Sequence, residues 1–131
     1  MFAAVPLMVL PAGLYAAVVL LMGAGVQTPA RLAAPLLRFS TAGGGRWPVS
    51  ASDLLIAMAV VVMFVEMVKS TGGRRAALFN HAATMALFVA CLVVMLLAPG
   101  FATSTFFLIT LMILLDVIAG FIITVAPRMG D

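Results

Sequence analysis

Residues 106–125 read FFLITLMILLDVIAGFIITV, a run of 20 residues in which Asp116 carries the only charge. A bilayer has a hydrocarbon core about 30 Å thick, and an α-helix crosses it with about 20 mainly apolar residues. Three further stretches are similarly long and apolar, at about 3–24, 51–69 and 76–97. Because lipid cannot hydrogen-bond to an exposed backbone, such stretches must be helices. The sequence therefore predicts an all-α integral membrane protein with four transmembrane helices.

The composition supports one membrane domain over residues 1–131, since 66% of the residues are hydrophobic and only 8% are charged. Soluble domains have about half apolar and a quarter charged residues. One cysteine excludes a disulfide scaffold, and one histidine excludes a bis-histidine haem within one subunit. The net charge of +3 is spread between apolar runs, so the basic face needed for nucleic acid is not expected.

The segment 26–50 connects the first two predicted spans. Arg31 and Arg38 are seven residues apart, and on one helix they would share a face above apolar residues (Leu32, Leu36, Leu37 and Phe39). This pattern predicts a short interfacial segment that lies on the bilayer and is broken at Pro35. Trp47 is expected in the aromatic belt where the chain re-enters the lipid. The motif from Ser50 to Asp53 resembles a capping box that would start the second helix near Ala51.

Basic residues at the ends of the spans predict the orientation. One side holds Lys69, Arg74, Arg75 and Arg128, and the other side holds Arg31, Arg38 and Arg46. Four crossings would place both termini on the same side, and the positive-inside rule favours the cytoplasm for that side. In the first span, Pro6 is expected in the first helical turn, while Pro11 lies deeper and is expected to kink the helix.

Small residues recur at the spacing that lets membrane helices approach closely. The third span has Ala82, Ala86 and Ala90 at four-residue intervals, and the fourth span has Gly120. These residues predict contact faces, either within the bundle or toward partner chains.

Asp116 lies near the centre of the fourth predicted span. A central aspartate costs about 2.5–3.5 kcal/mol on insertion scales, so it should face protein or water and have a partner. One interpretation is a proton or cation site. The alternative is a neutral hydrogen bond between helices, for example to Thr84, which is expected at a similar depth.

Asn80 and His81 lie one to two turns inside the third span, and His81 shares a helix face with Thr84. They could form a polar track toward Asp116, with His81 as a pH-sensitive relay. The alternative is a histidine that is hydrogen-bonded near the headgroups. A third interpretation is tetrapyrrole ligation, because the spacing from Ala77 to His81 resembles bacteriochlorophyll sites of light-harvesting polypeptides.

Glu66 is followed by Lys69 one helical turn later, which is a favourable ion pair near the interface. The alternative is that Glu66 admits protons toward Asp116. Cys91 is expected to be a packing residue. No nucleophile–base pair or nucleotide motif is recognisable, so an enzyme is not expected.

The stretches NHAAT (80–84), FATSTFF (101–107) and LDVIAG (115–120) resemble small, uncharacterised four-span bacterial inner-membrane proteins. That resemblance covers about the last 60 residues and implies a location in the bacterial inner membrane, without an activity or site residues. The chain is also close in size to small multidrug transporters, but their first-helix glutamate is missing from residues 1–30.

These observations give three functional hypotheses. The first is a non-catalytic accessory subunit of a larger respiratory, photosynthetic or transport complex in the membrane. The second is a small proton-coupled transporter or channel that uses Asp116, His81 and Glu66. The third is a tetrapyrrole-binding membrane subunit that binds its pigment or haem through His81.

Overall fold

The computed structural model describes residues 5–23, 25, 27–69 and 74–129. Its elements, in chain order, are α1 (Val9–Met22), α2 (Thr28–Ala33), β1 (Pro35–Ser40), β2 (Arg46–Ser50), α3 (Ala51–Lys69), α4 (Arg74–Leu97), a 3-10 turn (Pro99–Phe101) and α5 (Ser104–Met129). The described part of the chain is therefore mainly helical, with one short antiparallel hairpin of two strands.

Among the described residues, three helices are long and apolar enough to cross a membrane. These spans are Ala51–Val68, Leu78–Leu97 and Ser104–Ile122, with mean hydropathies of 2.2, 2.0 and 2.5. They lie where the sequence predicted the second, third and fourth spans. The first predicted span corresponds to α1, which has only 14 residues and rises about 21 Å. A fourth crossing, and with it the placement of both termini on one side, therefore stays a prediction.

Two prolines determine where α1 begins. The helix starts at Val9, so Pro11 occupies its first turn, and Pro6 lies before the helix. The prediction that Pro11 lies deep in a longer helix is therefore wrong. A proline has no N–H, and the first turn is where a missing N–H costs least. Leu7 lies just before the helix, and its main-chain N–H donates a hydrogen bond to the side chain of Glu66 on α3.

The connection between α1 and α3 is a hairpin for most of its length, which corrects the all-α prediction. The short helix α2 ends at Ala33, and Ala34 is extended because a residue that precedes a proline avoids the α conformation. Arg31 is therefore helical and Arg38 lies in a strand, so they do not share a helix face. Gly44, with a φ of +84°, supplies the turn between the strands.

The helix α5 lies at the centre of the bundle and contacts α1, α3 and α4. Its inward face is formed by buried apolar residues, including Phe106, Ile109 and Ile113. Tyr15 of α1 packs against Phe106 with 4.8 Å between ring centroids. The Tyr15 hydroxyl also lies 2.5 Å from the Thr103 hydroxyl, which fixes α1 to the chain just before α5.

Helix α3 begins where the sequence predicted. The Asp53 carboxylate accepts hydrogen bonds from the Ser50 N–H and hydroxyl, and the Ser50 hydroxyl accepts from the Asp53 N–H. This reciprocal arrangement is a capping box, and it joins the last residue of β2 to the first turn of α3.

Candidate functional site: a buried polar cluster

The carboxylate of Glu66 is completely buried near the carboxyl end of α3. One oxygen accepts a hydrogen bond of 3.0 Å from the Leu7 N–H, and the other accepts one of 2.8 Å from the Asn80 side-chain amide. A carboxylate without water needs such donors, because burial of an unsolvated charge is costly. Glu66 thus connects three parts of the chain. Its predicted ion pair with Lys69 stays a prediction, because the Lys69 side chain lies outside the described residues.

Asn80 and Thr84 face inward on α4, one helical turn apart. Both are buried, and the Thr84 hydroxyl donates a hydrogen bond of 2.7 Å to the Asn80 main-chain carbonyl. Since its proton is used within α4, the Thr84 hydroxyl can bind a neighbouring carboxyl group only as an acceptor. The predicted pairing of Thr84 with Asp116 would therefore require the protonated form of Asp116.

His81 packs against Gly120 of α5. A Cβ atom built on Gly120 would lie 2.8 Å from the His81 Nδ1, so the close approach of the imidazole requires glycine. Nδ1 is buried and has no hydrogen-bond partner among the residues that the structure describes. Such a ring nitrogen without a hydrogen-bond partner is uncommon in a buried site.

Asp116 is buried on α5, four residues before Gly120. Residues four apart share a helix face and are separated by about one turn, or 6 Å of rise. Because Gly120 contacts the imidazole of His81, the carboxyl group of Asp116 and this imidazole belong to the same region of the α4–α5 interface.

The polar cluster comprises Glu66, Asn80, His81, Thr84 and Asp116. Its members come from α3, α4 and α5, and they lie toward the end of the bundle where α3 ends and α4 begins. Toward the opposite end, the inward face of α5 continues with the fully buried Ile113 and Ile109. The buried Thr110 lies between them in sequence, and its hydroxyl donates a hydrogen bond to the Phe106 main-chain carbonyl.

The predicted small-residue face of α4 points away from the bundle. Ala82, Ala86 and Ala90 are exposed, whereas Gly120 is partly buried against His81. Among the described residues, the alanines are therefore not buried against another helix, and their predicted contact with partner chains stays a prediction. Cys91, on the inward side of α4, is buried, as its predicted packing role requires.

The predicted interfacial residues divide into three groups. Arg31 donates a hydrogen bond to the Met22 carbonyl at the end of α1. Arg38 and Trp47 are exposed on the hairpin. Outside the described part of the chain lie the side chains of Lys69, Arg74 and Arg75. The same holds for the side chain of Ala77, which the tetrapyrrole interpretation pairs with His81.

Two features of the cluster were missed by the sequence analysis. The first is the hydrogen bond that the Leu7 N–H donates to Glu66. The prolines at 6 and 11 were a usable signal for it, because prolines delay the start of a helix. The second is the role of Gly120 as the surface on which His81 packs. The sequence predicted a contact face at Gly120 but not that His81 packs there, because helix pairing decides which residues meet.

Comparison of the chain with protein-family models, with curated proteins and with solved structures found no match. The resemblance to small four-span inner-membrane proteins therefore stays a prediction. Within the described residues, no group of three or more His, Cys, Asp or Glu side chains could hold a metal ion.

Proposed function

We propose that this protein binds a proton at the polar cluster and acts as a small proton-coupled transporter or channel in a bacterial inner membrane. The observation that carries the proposal is the buried Nδ1 of His81, which has no hydrogen-bond partner among the described residues and packs against Gly120, one helical turn after Asp116 on α5. Ionisable groups inside a membrane bundle are costly and typically serve ion or proton pathways.

The asymmetry of the cluster supports the same function. Its polar groups extend from Glu66, three residues before the end of α3, to Asp116, and the fully buried Ile113 follows toward the start of α5. A proton would therefore enter from the end near Lys69, and its release to the other side would require movement at Ile113. Alternating access of this kind moves protein around a fixed binding site.

Asp116→Asn is expected to abolish proton uptake by vesicles that contain the purified protein, measured with a trapped pH dye after a potassium diffusion potential is applied. The amide keeps the size and hydrogen-bonding capacity of the side chain but cannot exchange a proton. Asp53→Asn is the matched control, because its carboxylate caps α3 and lies outside the cluster. Equal uptake by Asp116→Asn and wild type would contradict the proposal, as would wild-type vesicles no more permeable than empty ones.

A second function, that of a non-catalytic accessory subunit in a membrane complex, is favoured by the exposed alanine face of α4. Small residues at four-residue spacing let another helix approach closely. Here they face away from the chain's own helices.

Ala86→Leu is expected to remove co-purifying membrane proteins after extraction in a mild detergent, without loss of the folded chain. Ala57→Leu is the matched control, because Ala57 is exposed on α3 outside the alanine face. Retention of every partner by Ala86→Leu, or purification of wild type without any partner, would reject the accessory role.

Binding of a tetrapyrrole by His81 stays a prediction, which an absorbance spectrum of the purified protein tests.

A further inference from the structure

The hairpin formed by β1 and β2 is amphipathic across its two faces. Leu37 pairs with Val49 and Phe39 pairs with Trp47, so these four side chains share one face. The pairs of Arg38 with Pro48 and of Ser40 with Arg46 define the other face. One face is therefore apolar and aromatic, and the opposite face carries two arginines in diagonal positions.

The apolar face is continuous with the membrane bundle. Val49 is buried at the base of the hairpin, while Phe39 and Trp47 are 49% and 59% exposed, with their ring centroids 5.8 Å apart. The strand β2 ends at Ser50 and the membrane-length helix α3 begins at Ala51. A strand of five or six residues is about 17–20 Å long, so the aromatic pair is kept close to the end of a membrane span.

The charge of this region is uniformly positive. Arg31, Arg38 and Arg46 precede Asp53, which is the first acidic residue of the chain. The Asp53 carboxylate is engaged by Ser50, so it is already used at the start of α3. Arginine binds phosphate oxygens with a planar fork of donors, and each arginine near an anionic membrane contributes about 1 kcal/mol of attraction.

We infer that this hairpin is a membrane-surface anchor that binds anionic phospholipid, with Phe39 and Trp47 in the interfacial layer and Arg38 and Arg46 on the headgroup phosphates. An isolated two-stranded hairpin is only marginally stable in water. Burial of the aromatic face in the lipid interface stabilises the hairpin, as packing against a third strand would in a larger sheet. The inference does not depend on the proton-binding cluster, which lies at the other end of α3.

Trp47 is the only tryptophan of the chain, so its fluorescence reports on the hairpin alone. The full chain is placed in nanodiscs of phosphatidylcholine that contain a small fraction of either brominated phosphatidylglycerol or brominated phosphatidylcholine. We expect both brominated lipids to quench Trp47, and the anionic one to quench it more strongly at the same mole fraction. The ratio of the two quenching constants measures the preference for the anionic headgroup.

Arg38→Gln with Arg46→Gln is expected to lower that ratio by about fivefold for each arginine, the factor that corresponds to about 1 kcal/mol. Arg74→Gln with Arg75→Gln is the matched control, because it removes the same charge at the other end of the bundle. Equal quenching by the two brominated lipids would overturn the anionic preference. Quenching by acrylamide without quenching by either lipid would overturn the anchor, and protection from both would indicate a protein partner instead.

Discussion

Glu66→Ala is expected to lower the stability of the folded bundle by about 2–5 kcal/mol, because it leaves two buried donors without their acceptor. The carboxylate accepts from the Leu7 N–H and from the Asn80 side chain, and alanine offers no acceptor in its place. The loss therefore affects the start of α1 and the contact between α3 and α4 together. The measurement is the thermal midpoint of the purified protein in detergent, which we expect to fall by several degrees.

Glu66→Gln is the matched control for this experiment. The Gln oxygen can still accept from the Leu7 N–H, and the Asn80 amide can rotate to present its own oxygen to the new NH₂ group. We expect a loss of about 1 kcal/mol or less. Equal losses in both variants would show that the negative charge, and not the pair of acceptors, stabilises the site. An unchanged midpoint in Glu66→Ala would contradict the structural role.

Gly120→Val is expected to destabilise the α4–α5 interface by about 1–3 kcal/mol through overpacking. Even a single added Cβ would lie 2.8 Å from the His81 Nδ1, and the two further methyl groups of valine would compete with the imidazole for space. The ring must then leave its position against Gly120. The same thermal measurement checks the stability, and the histidine chemical shift in the NMR spectrum checks the ring displacement.

Two controls isolate this contact. At Gly13 an added Cβ would meet nothing within 4 Å, so Gly13→Val should change stability by only a few tenths of a kcal/mol. His81→Ala should rescue much of the loss caused by Gly120→Val, because it removes the group that the valine displaces. If the two changes simply add, the residues are not in contact and the position of His81 is wrong.

Sequence patterning was sufficient for the long helices. The spans predicted at 51–69 and 76–97 correspond to α3 and α4 within two residues at either end, because membrane helices are set by local apolar length. The start of α3 was equally readable, since the Ser50 to Asp53 capping box is a local interaction. The hairpin was misread as an interfacial helix, because the heptad spacing of Arg31 and Arg38 outweighed the strand-favouring effect of Pro35.

The sequence by itself determined that Asp116 must be shielded from lipid, and it marked Glu66, Asn80, His81 and Thr84 as the other candidate polar groups. Burial of an ionisable group in an apolar medium is costly wherever it lies in the chain. Only the tertiary structure decided which groups meet: the Leu7 N–H with Glu66, the Asn80 amide with Glu66, and the His81 ring with Gly120. These contacts join helices whose relative rotation depends on how α5 packs against its neighbours, and no local pattern specifies that rotation.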